Sequence, residues 1–188
     1  MKRPRVILAS GSPQRREILE RLGIRFEVGV SGVEEIVDGV PSEVVLENAL
    51  LKAKAVAARF RDSLVVGCDT DVVLEDQVIG KPASEAAARE YLERLSGRGH
   101  EVFSGLALVG PDPGQVRTGV SRSTVAFRDL TAQEIDRYLA SGEWEGRAGG
   151  YAIQGRGSAL VAGVEGDISN VIGLPVGLLL DLAPELDL

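Results

Sequence analysis

The sequence predicts an α/β (α+β) fold, a mixed twisted sheet flanked by helices, and three observations carry that reading. Helical and strand-like periodicities interleave along the chain. Two long strand-like runs, Glu101–Val109 and Arg117–Phe127, face each other across a proline- and glycine-rich turn at 110–114, so at least one pair is antiparallel. No repeat, low-complexity tract or linker divides the 188 residues.

In chain order, Arg5–Ala9 is a short apolar β-type run that stops at Ser10-Gly-Ser-Pro13, where a helical pattern begins and continues to Leu22. Ser42 is a good N-cap for a second helix reaching Phe60, with Leu46, Leu50, Ala53, Ala57 and Phe60 as its apolar stripe and Glu47 and Lys54 opposite. Leu64–Cys68 reads as a buried strand leading into Asp69–Leu74, and Glu75-Asp-Gln77 as a hairpin turn before Val78-Ile79. Helices follow at Ser84–Leu95 and Thr131–Ser141, the second opened by the capping box Thr131-Ala-Gln-Glu134. Glycine is dense from Gly142 to Gly173, a spacing that suits close backbone approach to a ligand or a strand. A last helix begins near Pro175 and ends before Pro184.

The length fits a single domain over 1–188, as one core or one core with a lobe. A net charge of −7 argues against nucleic-acid and anionic-membrane partners, which need a positive field over many phosphates. No apolar run reaches the roughly 18 residues of a membrane span, and the start is too short for a signal peptide, so the reading is cytoplasmic. One cysteine, Cys68, and one histidine, His100, exclude an internal disulfide and the usual four-ligand zinc sites. Any bound metal therefore needs carboxylates, which favours a divalent cation such as Mg or Mn.

Ser12-Pro13 at a strand-to-helix junction is an N-cap followed by proline at the first helical position, an end that attracts anions. Arg15 and Arg16 in that first turn oppose the helix dipole unless a phosphate is bound; the plain alternative is two solvated arginines beside Glu17 and Glu20. Lys52 follows Val45 and Ala49 at helical spacing and borders the apolar stripe, as a ligand or as a snorkelling side chain. Lys81, in Gly80-Lys-Pro82, reads equally as a phosphate contact or as loop surface. Asp69 ends an apolar run where a strand delivers a side chain into a cleft, and Asp71 shares its face; the pair can hold a divalent ion or a water, or cap a turn. Glu34 and Glu35 could add a ligand, and His100 reads as structural. There is no Walker-type loop and no Gly-x-Gly-x-x-Gly.

Leu8-Ala-Ser-Gly-Ser-Pro-Gln-Arg-Arg-Glu-Ile-Leu19, Gly67-Cys-Asp-Thr70, Gly80-Lys-Pro82, Leu95-Ser-Gly-Arg-Gly-His100, Ala148-Gly-Gly-Tyr-Ala-Ile-Gln-Gly155 and Val171-Ile-Gly-Leu-Pro175, taken in order, resemble the Maf family of nucleoside triphosphate pyrophosphatases over nearly the whole chain. The resemblance implies a fold similar to the inosine-triphosphate pyrophosphatases (Ham1), often a homodimer, that cleaves a nucleoside triphosphate substrate between its α and β phosphates to monophosphate and pyrophosphate. It implies a general base at Asp69, phosphate or nucleotide contacts at Ser10, Ser12, Arg15, Lys52 and Lys81, and an acid at Glu35 that joins Asp69 as a metal ligand. Thr70 and Gln154 match the branch similar to dTTP/UTP pyrophosphatases, acting in nucleotide-pool housecleaning and septum-formation control. Two departures stand out: Gln14 replaces an arginine and bears on base preference, and Asp71 replaces an apolar residue and bears on metal binding. Two other readings compete. One is a non-catalytic nucleotide-binding regulator of cell division. The other is an aspartyl-nucleophile phosphatase, because Asp69-Thr-Asp71 after Val65-Val66 resembles the haloacid-dehalogenase loop.

Overall fold

The computed structural model describes residues 4–111 and 114–186. Its elements are β1 (Val6–Leu8), α1 (Pro13–Arg21), β2 (Phe26–Val28), α2 (Pro41–Ala57), β3 (Leu64–Leu74), β4 (Gln77–Ile79), α3 (Glu85–Leu95), β5 (Gly99–Val109), β6 (Val116–Phe127), α4 (Ala132–Leu139), β7 (Val161–Glu165), α5 (Ile168–Ile172) and α6 (Val176–Leu182), with short 3₁₀ helices at 148–150, 155–160 and 184–186. The strand order is β2-β1-β3-β5-β6-β7, with β4 on β3. β1 is parallel to β2 and β3, whereas β4 and β7 are antiparallel to β3 and β6. The predicted mixed sheet flanked by helices is what the chain forms. Two residues of the predicted turn, 112 and 113, lie outside the described residues.

The chain divides into two compact units: Met1–Thr70 with Ser104–Ser121 and Gly173–Leu188, and Asp71–Phe103 with Arg122–Ile172. In the first unit strand alternation sorts side chains cleanly. Val6, Leu8, Leu64, Val66, Cys68, Leu106 and Leu108 pack with Leu19 of α1 and Leu179 of α6. Ile7, Ala9, Val65 and Ala107 pack with Ala49, Ala53 and Val56 of α2. So α1 and α6 cover one face of these strands and α2 the other.

The buried stripe of α2 differs from the predicted one. Val45, Ala49, Lys52, Ala53 and Val56 are buried, while Leu46, Leu50, Ala57 and Phe60 lie at the margin. Two glycines explain the rotation. A Cβ on Gly67 of β3 would lie 2.2 Å from the Ala49 carbonyl oxygen, and one on Gly105 of β5 would lie 2.1 Å from that of Val45. The helix backbone rests directly on the strands, and leucines would not fit between them. The helix also starts two residues earlier than predicted: Val40, not Ser42, is the N-cap, and Pro41, preset for the first helical position, places Ser42 inside.

In the second unit α3 and α4 pack on Val72, Leu74, Val125 and Phe127 through Leu92, Leu95, Ile135 and Leu139. The capping box forms as read: the Glu134 amide donates to Thr131 Oγ1 at 3.3 Å, and the Thr131 amide to Glu134 Oε2 at 2.8 Å. That amide, helped by Arg128, holds the Glu134 carboxyl down to about 2. The hairpin turn narrows to Glu75 and Asp76, both at positive φ, with Gln77 already in β4.

Candidate active site

Parallel strands β1 and β3 run side by side, Leu8 opposite Val66, and the candidate residues gather where β1 ends and β3 continues. Ligand sites of parallel sheets form outside such carboxyl ends. Asp69 is in register with the residues that face α2, and it meets Lys52 and Asn48 of that helix. Lys52 Nζ donates to Asp69 Oδ1 at 2.7 Å, and Asn48 Nδ2 donates to Asp69 Oδ2 at 3.0 Å. All three residues are buried. Asn48 also receives the Ile36 amide at 2.8 Å and donates to the Ile36 carbonyl at 2.9 Å, which pins the loop before α2. From that loop Glu35 Oε1 reaches Lys52 Nζ at 2.5 Å, with its side chain half exposed. Lys52 therefore lies between two carboxylates.

Thr70, one residue on, points to the other face, and there Arg15 is held. Its Nε donates to the Gly173 carbonyl at 2.8 Å, its Nη1 to Ser10 Oγ at 2.9 Å and its Nη2 to Thr70 Oγ1 at 3.1 Å. Arg15 is 8% exposed, yet all its acceptors are neutral oxygens; no carboxylate pairs with it among the described residues. Ser10 Oγ also accepts the Ser12 amide at 3.2 Å. Ser12 occupies the predicted N-cap, but its hydroxyl donates to Gln14 Oε1 at 2.9 Å and does not cap the helix. Arg16 is exposed on the outer side of α1.

The fold thus brings Asp69, Lys52 and Glu35 together, and separately Arg15, Ser10 and Thr70. Lys81, Asp71 and Gln154 belong to the second unit: Lys81 is an exposed loop residue after β4, Asp71 is half-buried, and Gln154 is exposed at the head of the 155–160 turn. Glu34 is exposed. His100, also in the second unit, is buried; its Nε2 and Tyr151 Oη share a hydrogen bond of 2.7 Å, and burial pushes its pKa down to about 4. Cys68 is a free, buried thiol whose pKa burial raises, so it is no nucleophile. Asp69 lies inside β3 and not in a loop after the first strand, unlike the nucleophile of haloacid-dehalogenase-type phosphatases.

Sequence reasoning missed Asn48, Ser104 and the Gly173 carbonyl. Asn48 stands four residues before Lys52 on the same helix face, and a buried asparagine in an apolar stripe was a readable signal. The carbonyl had none.

Among the described residues no three His, Cys, Asp or Glu side chains gather as a metal-ligand set. Asp69 and Glu35 converge on the single ammonium of Lys52, and carboxylate oxygens are the hard donors that a magnesium-type ion takes. No helix of the described residues is long and apolar enough to cross a membrane.

The Maf-like protein family matches residues 5–186. The chain is 46% identical over 177 residues to proteins named "dTTP/UTP pyrophosphatase" from Bacillus anthracis, Bacillus thuringiensis subsp. konkukian (strain 97-27) and Bacillus cereus (strain AH820), covering 93% of this chain and 92% of each relative. Among solved structures, the Staphylococcus aureus Ham1 protein aligns with 66% of this chain and 72% of its own at a TM-score of 0.48 and 17% identity. With a family match over all but its ends and relatives this similar along nearly their whole length, the chain belongs to the Maf-like protein family.

Proposed function

We propose that this chain hydrolyses dTTP and UTP between the α and β phosphates, releasing nucleoside monophosphate and pyrophosphate, at the site built around Asp69 and Arg15. One observation carries the reading: Arg15 is a buried cation whose hydrogen-bond acceptors among the described residues are all neutral oxygens. An uncompensated buried charge costs several kcal/mol in general, roughly, and an anionic ligand offsets that cost. Phosphate matches a guanidinium fork, and Arg15 spends three of its five N–H groups on the protein, so two can meet a phosphoryl oxygen.

Lys52 adds a second cation for the triphosphate, and Ser10 and Ser12 add hydroxyls beside the start of α1. Asp69 acts as the general base. Its two oxygens each accept one hydrogen bond, from Lys52 and Asn48, and a carboxylate has room for about four, so an attacking water can still be held and deprotonated. The family pattern gives phosphate contact to Lys81 and base discrimination to Gln154, Thr70 and Gln14; an amide such as Gln154 both donates to and accepts from a pyrimidine edge. Asp69 and Glu35 would hold a divalent Mg or Mn ion, which when bound neutralises triphosphate charge. The same reading makes the chain a cytoplasmic homodimer that acts on free nucleotides.

Product identity tests the proposal. UTP or dTTP with magnesium or manganese is expected to give monophosphate and pyrophosphate by ³¹P NMR. Orthophosphate with a diphosphate left behind would refute it in favour of a phosphatase, and nucleotide binding without turnover under any metal would favour a regulator.

A further inference from the structure

Ser104 of β5 is completely buried, and among the described residues its hydroxyl has one partner: Thr70 Oγ1, at 2.8 Å. Thr70 Oγ1 also accepts from Arg15 Nη2 at 3.1 Å and lies 3.4 Å from the Gly173 carbonyl, which accepts Arg15 Nε at 2.8 Å and the Cys68 thiol at 3.4 Å as well. The protons can be ordered by elimination. If Thr70 donated to Ser104, the proton of Ser104 would have no acceptor in a fully buried place, a loss on the order of 1–3 kcal/mol. If instead Ser104 donates to Thr70, Thr70 donates to the Gly173 carbonyl and both hydroxyl protons have an acceptor. Thr70 Oγ1 is then an acceptor with its proton turned away from Arg15, as a guanidinium needs.

We infer that Ser104 is a positioning residue for nucleotide binding: it orients the Thr70 hydroxyl, which in turn holds the Arg15 guanidinium at the triphosphate. The inference rests on the proposed function, since it takes Arg15 as the phosphate contact. The neighbouring residue makes the placement firm. Gly105 presses against the backbone of α2 on the opposite face, where a Cβ would come within 2.1 Å of the Val45 carbonyl oxygen, so β5 cannot shift to relax Ser104.

The experiment is a double-mutant cycle read by calorimetric binding of α,β-methylene-UTP, which cannot be cleaved at the α–β bridge, together with kcat for UTP. Ser104→Ala is expected to weaken binding about three- to tenfold, the usual range for one lost hydrogen bond, with kcat within about twofold of the parent. In a Thr70→Val background, which keeps shape and removes the hydroxyl, Ser104→Ala is expected to change binding by less than about twofold. Equal losses in both backgrounds, or no loss in either, would overturn the inference. Should Ser104→Ala be unfolded by circular dichroism, Ser104→Cys, of similar size and a weaker donor, carries the same comparison. Failure of the parent protein to bind α,β-methylene-UTP would refute the proposed function and the inference with it; binding by the parent that Ser104→Ala leaves intact would refute the inference alone.

Discussion

Acidification offers the most direct energetic test of the second unit. His100 is 2% exposed and enclosed by Phe127 and Tyr151, with ring centroids 5.1 and 5.4 Å away. Burial lowers its pKa from 6.5 to about 4. The sign follows from proton counting: below pH 6.5 the unfolded chain binds a proton that the folded chain refuses, so stability falls as pH drops and levels off below the folded value. With those two values the loss between pH 7 and 5 is about 2 kcal/mol, approaching about 3 kcal/mol below pH 4. Urea denaturation at pH 7.5, 6, 5 and 4.5, run on the parent and on His100→Gln, isolates this contribution, because the other titrating groups appear in both curves. The difference in unfolding free energy between the two proteins is expected to shrink by about 2 kcal/mol from pH 7 to 5. Parallel curves would show that His100 is not held neutral by burial.

Three further outcomes follow from the first unit. Asp69→Asn is expected to lower pyrophosphate release from UTP at least ~100-fold while nucleotide binding survives; near-normal turnover would move the base to another residue. Gly67→Ala sets a methyl against the Ala49 carbonyl and is expected to cost roughly 1–3 kcal/mol in a denaturant titration, whereas an exposed substitution such as Arg16→Ala costs next to nothing. Gln14→Arg restores a charge beside Arg15 and is expected to lower KM for UTP with a smaller effect on kcat; a changed ranking among UTP, dTTP, CTP and GTP would show that Gln14 reads the base instead.

Much of this site was legible because it sits on strong local signals. The start of α1 follows from Ser12-Pro13, and Asp69 follows from the apolar run that delivers it, since both depend on residues adjacent in sequence. The buried face of α2 was not legible, because it is chosen by Gly67 and Gly105, which lie on two strands remote in sequence from the helix. Strands β2 and β7, and the single-turn helix α5, were missed for a related reason. Phe26-Glu-Val28 is short and largely exposed, and Val161-Ala-Gly-Val-Glu165 carries a glycine at its centre; both are ordered by pairing with β1 and β6 and not by their own pattern. Ser104 shows no sign in sequence because its hydrogen-bond partner, Thr70, is 34 residues away.

Under the proposed function, the arrangement of charge gives both faces of the same strand a part in one site. Asp69 and Thr70 are neighbours in β3 and project to opposite sides, so the strand separates what each side collects. On the α2 side one cation, Lys52, is shared by two carboxylates, Asp69 and Glu35, which leaves that side negative. On the α1 side Arg15 has only neutral acceptors, which leaves that side positive. The two sides differ in cost: Glu35 keeps half of its side chain in water, whereas Arg15 is buried without a charged partner among the described residues, and that does not stabilise the folded chain alone. A ligand that brings a divalent cation to the first side and phosphate oxygens to the second would satisfy both at once, and a metal-bound nucleoside triphosphate has that distribution. A neutral nucleoside has neither part, so under the proposed function it is expected to bind more weakly than the triphosphate.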